Sequence, residues 1–328
     1  MNLGRENMRR RTFGLAAAGL AASVAIAPSL GWAQEEKKVT IGVSIPAADH
    51  GWTAGVVFHA ERVAKLLMAE YKGLNVIVKT SADPASQANA VQDLAVQGID
   101  ALVILPTDPD QLVSAIQQVK DDGKFVALVD RAPSVNDNTI RDLYVAGNNP
   151  ALGEVAGKYI AETTPEAEVV IIRGLPIPID QQRQDGFDKG IEGSKVKVLD
   201  RQYGNWSRDD AFRVMQDYLT KYPKIDVVWC QDDDMAVGVL EAIEQAKRTD
   251  IQYVVGGAGS KDMIKRVMDG DKMMPVDVLY PPAMVATAMQ LTAGGFYDQV
   301  PVSGNYILDA TLVTKDNAKE FYFPDSPF

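Results

Sequence analysis

Short apolar runs alternate with longer amphipathic stretches along most of this chain. Residues 39–45 (VTIGVSI) are β-branched and apolar, the pattern of a strand buried on both faces in a parallel sheet. Residues 55–71 follow, with Val56, Val63, Leu66 and Leu67 at helical spacing. The same reading predicts strands at 75–79, 101–105 and 125–129, with helices at 85–97 and 111–121. A second series runs from a strand at 168–173 through helix 179–192, strand 195–199, helix 208–221, strand 226–230 and helix 235–246. It closes with strand 252–255, helix 261–268, strand 274–279 and helix 283–293. Two such series predict two similar doubly wound α/β domains. Residues 145–150 (VAGNNP) are rich in turn-formers and read as the first crossing between them. No low-complexity linker intervenes, so the domains are expected to touch and to enclose a cleft.

The start of the chain breaks this pattern. Residues 1–33 carry Arg5, Arg9, Arg10 and Arg11 against Glu6, then an apolar run at 14–27 (GLAAAGLAASVAIA), then Pro28 and a stretch ending Gly31, Trp32, Ala33. Charged, apolar and cleavable segments in that order form a secretory signal. The run is shorter than the ~20 residues a membrane-spanning helix needs. Arg10, Arg11, Thr12 and Phe13 resemble the twin-arginine export motif, with Gly14 where Leu is preferred. Cleavage is expected near Ala33, leaving the rest free in the periplasm.

Length and charge fit the picture. At ~150 residues per domain, 328 residues make about two domains. The formal charge is −11; without the +3 of the first 33 residues the body carries −14. That acidity argues against nucleic acid, whose binding depends on Lys and Arg releasing counterions. Cys230 is the sole cysteine, and His50 and His59 are the only histidines, so neither an internal disulfide nor a Cys-rich or His-rich metal centre is expected. No cofactor is expected either.

In open α/β sheets ligands bind beyond the carboxyl ends of the strands. The residues there are polar or aromatic: Ser44, Asp49, His50 and Trp52 after the first strand, Asp130 and Arg131 after the fourth, and Arg183 in the helix after 168–173. Trp206, Asp232 and Tyr280 occupy corresponding places later in the chain. Carboxylates accept, guanidinium groups donate in a fixed fork and indole rings cover C–H faces, which suits a sugar or polyol. Of the three consecutive aspartates only Asp232 is expected at the ligand, because Asp233 and Asp234 suit the positive end of the next helix. The bland alternatives are a cap for Asp130 and Arg131, interface packing for Trp52 or Trp206, and an ordinary loop role for His50.

Taken together, NAVQDLAVQGIDALVILPTDPD (89–110), LVDRAP (128–133), AGNNPALGEVAGKYIAE (146–162), RQDGF (183–187) and QDDDMAVGVLEAIEQA (231–246) resemble the ribose-binding branch of periplasmic sugar-binding proteins. These are the type I solute receptors of ABC importers, and the resemblance covers essentially the whole chain after residue 33. It implies that Asp130, Arg131 and Arg183 hold sugar hydroxyls, with Trp52 and Trp206 as aromatic walls. The chain departs from the ribose binders at His50 and Asp232, where they carry amides. It also departs at 256–259 (GGAG), where they carry a carboxylate, and at Leu105 and Leu279, where they carry an Asn and a hinge Gln. A shorter polyol, a deoxysugar or a differently oriented pentose therefore stands beside ribose. The resemblance further implies a three-strand hinge, with one domain at 34–146 plus 280–308 and the other at 147–279 plus 309–328. The ligand would lie in the interdomain cleft. Partners implied are an inner-membrane permease with its ATPase and, as a further candidate, a chemoreceptor, the receptor itself being a monomer.

Two other classes compete with this reading. A sugar-responsive repressor shares this body but carries a helix-turn-helix where this chain has an export signal. A secreted α/β carbohydrate-active enzyme remains the alternative through its paired carboxylates, although the body lacks the GxSxG, GxxxxGK[ST] and GxGxxG fingerprints.

Overall fold

The computed structural model of the protein describes residues 37–134 and 138–328. The expected export signal at 1–33 lies outside the described residues. Among the described residues, no helix is long and apolar enough to cross a membrane.

The chain begins β1 (Val39–Pro46), α1 (Gly51–Glu70), β2 (Leu74–Ser81), α2 (Pro84–Val96), β3 (Ala101–Ile104), α3 (Val113–Asp121), β4 (Phe125–Val129) and β5 (Leu143–Gly147). It continues with α4 (Asn149–Thr163), β6 (Glu168–Arg173), α5 (Pro178–Gly190), β7 (Lys197–Tyr203), α6 (Arg208–Lys221), β8 (Val227–Cys230), α7 (Asp233–Ala246), β9 (Tyr253–Val255) and α8 (Lys261–Asp269). The last elements are β10 (Asp277–Val278), α9 (Met284–Tyr297), β11 (Gly304–Leu308) and β12 (Leu312–Val313).

These strands form a six-stranded sheet in the order β11-β5-β4-β3-β1-β2 and a four-stranded sheet in the order β7-β6-β8-β9. Every pairing within both sheets is parallel. This is the α/β architecture that the alternation of patterns predicts. The chain leaves the six-stranded sheet after β5 and returns through α9 to add β11. It then leaves again to pair β12 antiparallel with β10.

The central strands are buried on both faces, which explains why they read as continuous apolar runs, whereas the edge strands β2, β7 and β11 are more exposed. Along β3, Ala101 and Val103 join one hydrophobic cluster while Leu102 and Ile104 join another. Along β6, Val169 and Ile171 face one side and Val170 and Ile172 the other. Cys230 is fully buried at the end of β8 and packs as a small hydrophobe.

Residues 145–150 lie where the chain leaves the six-stranded sheet, but they are the end of β5 and the start of α4, elements the sequence reading does not predict, as it does not predict β11. The turn-formers serve the junction itself: Asn148 accepts from the Ala151 amide at 3.1 Å and caps the helix. The strand expected at 274–279 shrinks to Asp277–Val278. The strand expected at 195–199 is displaced to Lys197–Tyr203, carrying its carboxyl end toward Trp206.

One contact between helices governs the site. A Cβ on Gly153 would lie 1.9 Å from the Arg183 carbonyl oxygen, and one on Gly186 would lie 1.9 Å from that of Pro150. The backbones of α4 and α5 therefore touch, and the first residue of α4 is brought beside Arg183.

Candidate functional site

A cavity of about 290 Å³ opens where loops from the carboxyl ends of both sheets converge. His50, Trp52, Asp130, Arg131, Arg183, Trp206, Asp232 and Tyr280 line it, with Ile179 and Ala258.

From the six-stranded sheet come Asp130 and Arg131, immediately beyond β4. Asp130 adopts φ 61°, a left-handed conformation rare for a side-chain-bearing residue, and its carbonyl accepts the Tyr144 hydroxyl at 2.6 Å. Arg131 donates through Nη1 to the carbonyls of Thr107 at 2.9 Å and Pro106 at 3.2 Å. Its Nε is buried without a hydrogen-bond partner, because the Asp130 carboxylate stands 3.7 Å away. Burial lowers the Arg131 pKa, and the neighbouring Asp130 opposes that shift.

From the other side come Arg183 on α5, Trp206 beyond β7 and Asp232 beyond β8. Arg183 donates to the Gln231 carbonyl and to the Asn149 side chain, both at 2.8 Å, and lies 4.5 Å over the Tyr280 ring. Trp206 has φ 55° and follows Asn205 at φ 56°; these two left-handed residues turn the indole under the Arg131 guanidinium, 5.3 Å from its ring centre. His50 stacks on the same indole at 6.3 Å. Asp232 caps α7, its Oδ1 accepting from the Asp234 amide at 2.8 Å. Burial raises its pKa to about 7, with Asp233 and Asp234 adding to the shift and His50 and Arg183 resisting it.

Tyr280 joins the two groups. Its hydroxyl donates to Asp130 Oδ1 at 2.5 Å, its carbonyl accepts the Trp52 indole N–H at 2.9 Å, and its amide donates to the Ala258 carbonyl at 3.2 Å. A Cβ on Gly147 would lie 2.1 Å from the Tyr280 ring, so only glycine leaves it this place. Burial, then the Asp130 charge, pushes the Tyr280 phenol pKa well up.

Ser44 and Asp49 do not line the cavity. Ser44 is fully buried inside β1, on the face opposite Val43 and Ile45, where it accepts from Gln87 at 3.3 Å. Asp49 stands at the rim in an outer chamber with Asn205, Ser207 and Asp234. Burial pushes its carboxyl up, but hydrogen bonds from His50 at 2.6 Å and Thr53 at 2.7 Å outweigh that and hold it at about 2. Asp233 and Asp234 begin α7 as expected. Asp233 is buried and accepts the Gly257 and Ser260 amides at 3.0 and 2.6 Å; Asp234 reaches back to α1. Burial raises both the Asp233 pKa and that of Asp277, its close neighbour, the latter to about 7.

The sequence reading missed Ile179 and Ala258. Ile179 follows the carboxyl end of β6, where the rule that selected Arg183 also applies. Ala258 sits at φ 105° within the departure at 256–259, which replaces a polar lining by a methyl group.

The profile of the periplasmic binding protein domain matches residues 41–293. The chain belongs to that family. This periplasmic binding protein is 30% identical over 312 residues to the ribose import binding protein of Salmonella typhimurium (strain LT2), covering 94% of this chain and 99% of the relative. It is 29% identical over 249 residues to the xylitol-binding protein of Mycolicibacterium smegmatis, covering 72% and 67%. Among solved structures, an ABC transporter solute binding protein from Mycobacterium smegmatis with bound glycerol superposes with a TM-score of 0.78 at 26% identity, covering 88% of this chain and 99% of that one. The family and these relatives are binding proteins rather than enzymes, and the family's place is the periplasm.

Proposed function

We propose that the protein captures a neutral monosaccharide or polyol in the cavity between its sheets and delivers it to an ABC importer. The observation that carries this reading is the buried, unpartnered Nε of Arg131 beside Asp130, in a cavity walled by Trp52 and Trp206. A buried donor left unpaired costs ~1–3 kcal/mol, and a ligand hydroxyl supplies its acceptor. Arg183 uses two of its N–H groups on Asn149 and Gln231 and keeps others for a ligand. Asp130 and Asp232 offer acceptors, and His50 completes the polar set. A few hydrogen bonds to charged groups at ~1.5–3 kcal/mol each support an affinity near ~1 μM, or ~8 kcal/mol. The relatives that import ribose and bind xylitol support the same ligand class.

In this reading the chain divides into domains at 34–146 plus 280–308 and 147–279 plus 309–328, hinged at the three passages between sheets. Ligand favours closure because both domains grip it only in the closed state. The closed monomer then docks on an inner-membrane permease driven by its ATPase, and a chemoreceptor is a second candidate reader. Residues 1–33 serve as a twin-arginine-like export signal removed near Ala33. A thermal-shift screen of sugars, sugar alcohols and sugar acids tests the ligand class, since a ligand of the native state alone raises the melting temperature. Stabilisation by a neutral carbohydrate is the expected result; stabilisation by an unrelated metabolite and by no carbohydrate would overturn it.

A further inference from the structure

Asn149 lines no part of the cavity, yet it holds two residues that do. It is the first residue of α4 and is 2% exposed. Its Oδ1 accepts from Arg183 Nε at 2.8 Å, and its Nδ2 donates to the Tyr280 hydroxyl at 2.9 Å. The amide orientation is fixed by chemistry. A guanidinium only donates, so the oxygen must face Arg183 and the nitrogen Tyr280. The Tyr280 hydroxyl, accepting from Asn149, then directs its single proton to Asp130 Oδ1. One oxygen of Asp130 is thereby occupied, and Oδ2 is the acceptor left for a ligand.

Nothing else explains a buried amide at this position. Helix capping falls to Asn148, whose Oδ1 accepts the Ala151 amide. The close approach of α4 and α5 at Gly153 and Gly186 brings Asn149 within reach of Arg183. We infer that Asn149 is the positioning residue of the site: it orients Arg183 directly and Asp130 through Tyr280, and so sets the pattern of donors and acceptors that the cavity presents. The inference rests on the proposed ligand roles of Arg183 and Asp130.

Two substitutions separate the arms. Asn149→Ala removes both contacts. Asn149→Asp keeps an acceptor for Arg183 but lacks a donor for Tyr280, whose one proton is then contested by two carboxylates. The first readout needs no ligand: exchange of the Arg183 Nε–H in ¹⁵N-labelled full-length protein, assigned by its loss in Arg183→Lys. Exchange should be slow in the wild type and in Asn149→Asp, and about tenfold faster or more in Asn149→Ala. Equal exchange in wild type and Asn149→Ala would overturn the inference.

The second readout is calorimetric titration with D-ribose and with xylitol. Either Asn149 variant should weaken whichever binds by about tenfold or more, and Asn149→Ala should add less than about twofold in a background that already carries Arg183→Ala and Tyr280→Phe. A loss that adds in full to that of the Arg183→Ala, Tyr280→Phe double variant, or affinity unchanged in both Asn149 variants, contradicts a role through Arg183 and Tyr280. If neither compound nor any other carbohydrate binds the wild type, the proposed function falls, while the Arg183 exchange still decides the positioning role.

Discussion

The Asp234 carboxylate accepts the backbone amide of Gly51 at 2.6 Å, joining the first turn of α7 to the start of α1 across 183 positions of sequence. Asp234 thus reaches the positive end of a 20-residue helix belonging to the other sheet. The contact sits in the outer chamber beside His50 and Trp206, beyond the residues that line the cavity itself. Asp234→Ala is therefore expected to accelerate ligand dissociation several-fold, corresponding to ~1–2 kcal/mol, while the association rate changes little. Stopped-flow tryptophan fluorescence measures both rates; an unchanged dissociation rate would show that this contact does not help retain the ligand.

Gly147→Ala is expected to abolish ligand binding through Tyr280. The added methyl would stand 2.1 Å from the ring, which must leave its place against β5 and give up its hydroxyl contacts with Asp130 and Asn149. Tyr280→Phe removes only the hydroxyl, leaving two buried polar partners unpaired at ~1–3 kcal/mol each. The melting temperature should fall in both variants, and affinity should fall further in Gly147→Ala. Equal affinities in Gly147→Ala and wild type would place the ring elsewhere.

The Asp232 carboxyl gives a pH dependence with a defined sign. Burial raises its folded pKa to about 7, above the ~3.9 of an unfolded chain, so the native state holds the proton more tightly. Stability contributed by the protonated form is complete below the unfolded value and declines as pH rises through about 7. Asp232→Asn removes this ionisation yet keeps an oxygen for the Asp234 amide. Its melting temperature in the ligand-free protein should gain more over wild type at pH 8 than at pH 5. A gain equal at both pH values would mean that Asp232 titrates as an ordinary surface carboxyl. Asp277 remains in both proteins, and losing the Asp232 charge that helps raise its pKa shifts the comparison in the same direction.

Much of this arrangement is legible in the sequence, for a reason that also sets its limit. Residues that follow strand ends face the cavity by the topology of a parallel sheet, so Asp130, Arg131, Arg183, Trp206 and Asp232 are legible by position and chemistry together, while Tyr280 follows the short strand β10, which pairs antiparallel outside both parallel sheets. Ser44 misleads because it lies inside β1 and the two-residue period turns it toward Gln87. Asp49 misleads because its neighbours Thr53 and His50 engage its carboxylate at the rim. The roles of Asn149, Gly147 and Gly153 depend on contacts between α4, α5 and the Tyr280 segment, which no local pattern encodes. The turn-formers of VAGNNP conceal β5 and α4 because they are concentrated where the two elements meet.

Titration calorimetry of the purified protein against a panel of monosaccharides and polyols tests most directly the proposal that the cavity binds a neutral carbohydrate through Arg131 and Arg183. Saturable one-site binding of at least one member at an affinity near ~1 μM is expected, with the ligand recovered unchanged and the affinity reduced about tenfold or more in both Arg131→Ala and Arg183→Ala. Absence of binding across the panel, or full affinity in both variants, would contradict it.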